Sequence, residues 1–148
     1  DSLALIAIIA IERSNHNTLT DSVIEVLKSV EGAYSLIVQG ESTMVAARDP
    51  YGFRPLMLGT YDDGGFAVAS ESHTLTSLGA KYQREVSRGE VLTYDQTKNT
   101  MSSQYPFEEQ PSKLCAFEFV YFSGPHGELD SRSVHMVRKN MGKIQTCF

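Results

Sequence analysis

Apolar positions along the chain fall into blocks whose spacing changes character. "LALIAIIAI", Leu3 to Ile11, is almost continuously apolar. With Asp1 and Ser2 able to cap it, the run predicts a helix through about Arg13, read as a buried helix segment. "RSNHN" is a polar loop. In "SVIEVLKSV", Val23, Ile24, Val26, Leu27 and Val30 recur at near-helical spacing. A second helix is predicted there, capped by Thr20 or Asp21 and ended by Gly32. From residue 33 the pattern turns to strands. "AYSLIVQ" (33–39) and "TMVAAR" (43–48) flank the hairpin signal "GES". "PLMLGTY" follows, and "DDGG" closes a hairpin into "FAVAS". "ESHTLTSLG" predicts a short helix ending at Gly79. "GEVLTYD" and the stretch after "QTKNT" predict a further hairpin. "LCAFEFVYF" (114–122) is the most β-prone run and is read as a strand. "SGPHGELD" is a loop, and "SVHMVRKNMG" a closing helix. Helices, then antiparallel strands, then a helix is an α+β arrangement with helices covering sheets.

Composition narrows the function. A chain of 148 residues suits one domain, and its 41% hydrophobic content can fill a core. Net charge of −5 argues against general nucleic-acid binding and gives no support for a membrane surface role. The Leu3–Ile11 run is too short to span a bilayer and lacks the marks of a signal peptide. Cys115 and Cys147 form no CxxC pair and no ligand-like cluster with His16, His73, His126 or His135. A reducing, cytoplasmic setting is expected. The absence of an initiator Met, and an end inside a helical pattern, suggest a piece of something longer.

The stretch "ARDPYGFRPLMLG" (47–59) carries the densest local signal. Pro50 cannot continue a central strand, Gly52 permits a positive φ, and Asp49 can bond the backbone two residues on. "DPYG" therefore predicts a tight turn. Arg48 and Arg54 flank it, each within reach of Asp49 or of carbonyls around it. All three are expected to brace the turn.

Several stretches together resemble the amidophosphoribosyltransferase family: "GAYSLIV" (32–38), "ARDPYGFRPLMLG", "VASES" (68–72), "LGAKYQREVSRGEV" (78–91), "FEFVYF" (117–122) and "SVHMVRKNMG" (133–142). The turn motif alone is shared with other class II glutamine amidotransferases. The resemblance implies an N-terminal nucleophile hydrolase fold, incomplete here, with two stacked antiparallel sheets between helical layers. It divides the chain into residues 1–124, the later part of the amidotransferase domain, and residues 125–148, a connection and first helix of a truncated phosphoribosyltransferase domain. The implied activity is glutamine-dependent formation of phosphoribosylamine from phosphoribosyl pyrophosphate, in purine nucleotide synthesis. Magnesium assists in the complete enzyme, which is expected to be a homo-oligomer.

In that family an N-terminal Cys attacks the glutamine amide. Residue 1 here is Asp, and the family's oxyanion-hole pair lies upstream of the matched stretch, so no catalytic residue is expected in this chain. "DSLAL" resembles the family's Asp-Ser-Glu motif, which implies that Asp1 binds the glutamine α-ammonium. Leu3 stands where Glu is usual, and the alternative for Asp1 is a plain helix cap. Tyr121 resembles a position lining the ammonia path; the alternative is an ordinary strand aromatic. Cys115 aligns with a ligand of the iron–sulfur cluster that some members carry; the alternative is an inert thiol. "SES" (70–72) reads as a strand end and helix cap, and His126 as a solvated loop residue. Two other functions fit the same pattern: the glutaminase domain of another class II amidotransferase such as asparagine synthetase, or a non-catalytic module of the same fold. The chain by itself is expected to release no ammonia from glutamine; release abolished by Cys115→Ala contradicts this.

Overall fold

The computed structural model describes residues 2–145; Asp1 and residues 146–148, including Cys147, lie outside the described part. The chain opens with helices α1 (Ser2–Glu12) and α2 (Leu19–Lys28). α2 starts earlier than the apolar spacing predicts. Thr18 is its N-cap, the hydroxyl accepting the Asp21 N–H at 3.1 Å. Thr20 cannot cap because it turns inward, its Oγ1 lying 2.9 Å from that of Thr93. The helix ends at Lys28 with Ser29 as C-cap, short of Gly32.

Two antiparallel sheets follow. The first has the order β1 (Ser35–Gln39), β2 (Thr43–Arg48), β6 (Val91–Asp95), β7 (Thr100–Gln104). The second places β3 (Met57–Thr60) between β4 (Phe66–Ala69) and β5 (Lys81–Glu85). Side-chain alternation stacks them. Ala46 and Leu92 of the first sheet meet Leu58, Phe66 and Val68 of the second, with Leu56 and Val86 beside them. Their chain neighbours point the other way. Val45, Ala47 and Val91 pack under α1 and α2 with Val23, Ile24, Val26 and Leu27. Met57, Ala67 and Ala69 pack against α3 (Ser72–Ser77) and α4 (Val134–Gln145), with Leu75, Leu129 and Val134. Strands buried on both faces read as nearly continuous apolar runs, which is the pattern of β2 and β3. A short ribbon, β8 (Glu128–Leu129) with β9 (Arg132–Ser133), leads into α4.

Two sequence expectations need correction, and one strand, β5, is not predicted by the sequence. The Leu3–Ile11 run is helical but not buried: only Ile9 is, while Leu3, Ile6, Ile8 and Ile11 lie at the surface. A helix apolar on every side can turn only one of them to α2 and the sheet. β5 ("KYQRE") carries no apolar strand signal; its side chains are polar and its place comes from pairing with β3. The run 114–122 is not a strand. Residues Glu118–Phe122 form a π-turn, closed by the Ser123 N–H donating to the Glu118 carbonyl at 3.0 Å. Its buried positions are Glu118 and Phe119, with Ser123 buried just past its end, the spacing of a wide helical turn rather than of alternation.

Glu90 joins the sheets at one end. Its fully buried carboxylate accepts both terminal nitrogens of Arg84 from β5 at 2.7 Å, the Ser103 hydroxyl from β7 at 2.6 Å and the Ser87 N–H at 2.7 Å. Burial alone raises its pKa, but Arg84, Ser103 and the Ser87 N–H outweigh it and the net shift is downward from 4.5. A carboxylate shifted down contributes stability above its unfolded pKa and loses it as pH falls through the folded one. Glu90→Gln is therefore expected to cost about 1–3 kcal/mol near neutral pH and to flatten the loss of stability below pH 4.5. Denaturation midpoints across pH check this; an unchanged acid limb contradicts it.

Candidate functional site

The turn after β2 is built from its own backbone. The Asp49 carboxylate, fully buried, accepts the N–H of Tyr51 at 3.0 Å and of Phe53 at 3.1 Å. Its carbonyl accepts Gly52 N–H at 3.0 Å and Gly89 N–H at 3.1 Å. Gly52 has a φ of +66°, and a Cβ there would lie 2.5 Å from Arg88 Cγ. Both the dihedral and the close approach call for glycine.

Arg48 fills the inside of the turn and is 5% exposed. Its guanidinium donates to the carbonyls of Arg54 at 2.9 Å, Val86 at 2.7 Å and Gly52 at 3.3 Å, and pairs with the Glu85 carboxylate at 2.8 Å. One cation thus ties β2 in the first sheet to β5 in the second.

Arg54 departs from the expectation of a turn brace. Among the described residues its side chain reaches neither Asp49 nor a turn carbonyl. Its Nε pairs with Glu118 Oε1 at 2.7 Å, and its guanidinium lies 4.5 Å from the centre of the Phe122 ring. The two residues it grips are the first and last of the π-turn. The Glu118 side chain is 3% exposed. Burial pushes its carboxyl above the usual range, Arg54 and the Ser123 hydroxyl pull it down, and nearby Glu71 pushes it up again.

Two more elements hold the π-turn. Glu71, at the N-cap position of α3, accepts the Gly124 N–H at 2.8 Å. Arg138 of α4 donates to the carbonyls of Phe119 at 2.6 Å and Ser123 at 2.7 Å. The approach to the π-turn is also tied to residues 51–53, because the Lys113 and Cys115 N–H groups donate to the carbonyls of Tyr51 and Phe53. Arg54, Glu71, Glu118 and Phe122 line a cavity of about 400 Å³ together with Tyr34 and Ser70. The Tyr34 hydroxyl is buried without a hydrogen-bond partner among the described residues, and burial with the nearby Asp49 charge raises its pKa.

Tyr121 stands outward on the π-turn, 77% exposed, its ring edge-on to Phe122 at 5.5 Å. Cys115 is half-buried and unbridged, one turn before Glu118, whose N–H its carbonyl accepts. No group of three or more His, Cys, Asp or Glu among the described residues is arranged to hold a metal ion. Asp1 lies outside them. Sequence reasoning misses Glu118 and Arg138, and reads Glu71 only as part of a strand end and helix cap. Glu118 leaves one readable signal: a carboxylate inside the aromatic run "FEFVYF" needs a partner if it is buried.

Comparison with known proteins gives a consistent result. A family model described as a glutamine amidotransferase domain matches residues 18–123. The amidophosphoribosyltransferase of Rhizobium etli is 39% identical over 135 residues, covering 89% of this chain and 27% of that protein. The chloroplastic amidophosphoribosyltransferase 1 of Arabidopsis thaliana is 41% identical over 122 residues, covering 82% of this chain and 21% of that protein. A solved structure of the glutamine phosphoribosylpyrophosphate amidotransferase of Bacillus subtilis, complexed with ADP and GMP, superposes with a TM-score of 0.87 at 37% identity. The superposition covers 97% of this chain and 30% of the Bacillus chain. The chain thus spans less than a third of the length of each of these relatives.

Removing Arg48 leaves the Glu85 carboxylate and three carbonyls without their donor. Arg48→Ala is expected to destabilise by about 3–5 kcal/mol, the cost of breaking a buried pair by deleting one member. Far-UV dichroism during urea denaturation measures it. A loss below about 1 kcal/mol, the range of a surface pair, contradicts the assignment.

Proposed function

The chain belongs to the glutamine amidotransferase family, and from that premise we propose that it is the later part of the amidotransferase domain of an amidophosphoribosyltransferase. Its fold, two stacked antiparallel sheets between helical layers, is that of the N-terminal nucleophile hydrolases. One observation carries the functional reading: both likenesses run past the amidotransferase match at residue 123 to cover 89% of the chain by sequence and 97% by structure. We assign residues 125–148 to the connection and first helix of a phosphoribosyltransferase domain, as the resemblance implies.

In this reading the whole protein takes glutamine and phosphoribosyl pyrophosphate. A nucleophilic Cys and an oxyanion hole from outside this chain cleave the glutamine amide to glutamate and ammonia. Ammonia then displaces pyrophosphate, giving phosphoribosylamine, with magnesium assisting at residues outside this chain. Tyr121 borders the route between the two reactions, a role its exposed position favours. Asp1 binds the substrate α-ammonium, and a charge-assisted contact suits a carboxylate there. The protein works in the cytoplasm as a homo-oligomer. No described helix is long and apolar enough to cross a membrane.

Cys115 is read as an inert thiol; the other ligands of the iron–sulfur cluster that some members of the family carry would lie outside this chain.

Two measurements on the full gene product test these assignments. Asp1→Asn is expected to raise KM for glutamine about ten- to a hundredfold, the equivalent of a charged hydrogen bond, while ammonia-dependent synthesis persists. An unchanged KM removes Asp1 from the site. Protein purified without oxygen is expected to be colourless; stoichiometric iron that is lost on Cys115→Ser contradicts the inert-thiol reading.

A further inference from the structure

We propose that Arg54 is a positioning residue for ammonia transfer, acting through the π-turn that carries Tyr121. The inference rests on the proposed function, in which Tyr121 borders the ammonia route. Three observations carry it. Arg54 lies in the turn after β2 yet spends none of its side-chain donors there; it grips Glu118 at 2.7 Å and stacks on Phe122 at 4.5 Å. Those residues are the two ends of the π-turn, so one planar cation spans the five-residue element and fixes the direction in which Tyr121 leaves it. The other ties, Glu71 to Gly124 and Arg138 to Phe119 and Ser123, all go to backbone atoms. Arg54 instead holds the π-turn by two of its side chains.

A π-turn is a rare backbone form that recurs at functional sites, and here side chains from three other parts of the chain, Arg54, Glu71 and Arg138, hold it. Released from Arg54, the turn keeps its backbone ties while Glu118 and Phe122 gain freedom. The expected consequence is misplacement of Tyr121, not unfolding. Arg48, whose bonds all lie in the turn and between the sheets, has no such reach.

The test measures glutamate formed per pyrophosphate released in the full gene product. Tight transfer gives parity, since each glutamine hydrolysed supplies one ammonia and each ammonia displaces one pyrophosphate. Arg54→Ala is expected to raise the ratio about three- to tenfold, the effect of losing contacts of ion-pair and cation–π strength. Arg54→Lys keeps the charge without the planar stack and is expected to fall between. Glu118→Gln is expected to raise the ratio as well. A merely structural role would lower glutamine- and ammonia-dependent synthesis together and leave the ratio at parity. Should Arg54→Ala not accumulate as folded protein, Arg54→Lys and Glu118→Gln decide by the same ratio, and parity in both overturns the proposal. Tyr121→Ala separates the two levels. Parity in Tyr121→Ala overturns the ammonia-route reading and the inference with it. A raised ratio in Tyr121→Ala with parity in the Arg54 variants overturns the inference alone.

Discussion

One buried guanidinium organises the centre of this molecule. Arg48 ends β2 in one sheet, closes the turn behind it, and crosses to Glu85 and the Val86 carbonyl beside the other sheet. A cation taken out of water is tolerated only when its hydrogen bonds and charge are met, and here three carbonyls and a carboxylate meet them. Asp49 beside it satisfies the N–H groups that the turn would leave open. The sheets stack through apolar side chains, but these polar joints fix where one sheet crosses the other. Glu90 repeats the device with opposite charge, linking β5 and β7.

Much of this architecture is legible in the residues themselves. Pro50, Gly52 and Asp49 specify a tight turn by backbone chemistry alone, and the 43–48 strand matches its apolar run residue for residue. The layered fold comes from a family resemblance rather than from periodicity. What periodicity misses has physical causes. "FEFVYF" is β-prone in isolation, yet its Glu is paired to Arg54, far earlier in the chain, and that pairing suits a helical turn. β5 is polar and exists because β3 offers an edge. The apolar helix α1 reads as buried because composition does not say how many of its sides find a neighbour.

The same distinction divides the site. Arg48 and Arg54 look equivalent in the motif, and the sequence alone assigns both to the turn. Arg48 faces inward between the sheets. Arg54 emerges from the turn onto Glu118 and Phe122, beside a cavity that Tyr34 and Glu71 also line. The turn motif thereby couples a rigid joint to the segment carrying Tyr121. In the proposed function that segment stands between glutamine hydrolysis and phosphoribosylamine synthesis, so rigidity on one side becomes direction on the other.

Amide hydrogen exchange on the full gene product tests this division of labour most directly, comparing Arg48→Lys with Arg54→Lys. The account predicts that Arg54→Lys speeds exchange in residues 118–124 and leaves the strands protected, whereas Arg48→Lys speeds exchange in β2 and β5 of both sheets. Equal loosening of the strands by both substitutions, or no change at 118–124 with Arg54→Lys, would contradict it.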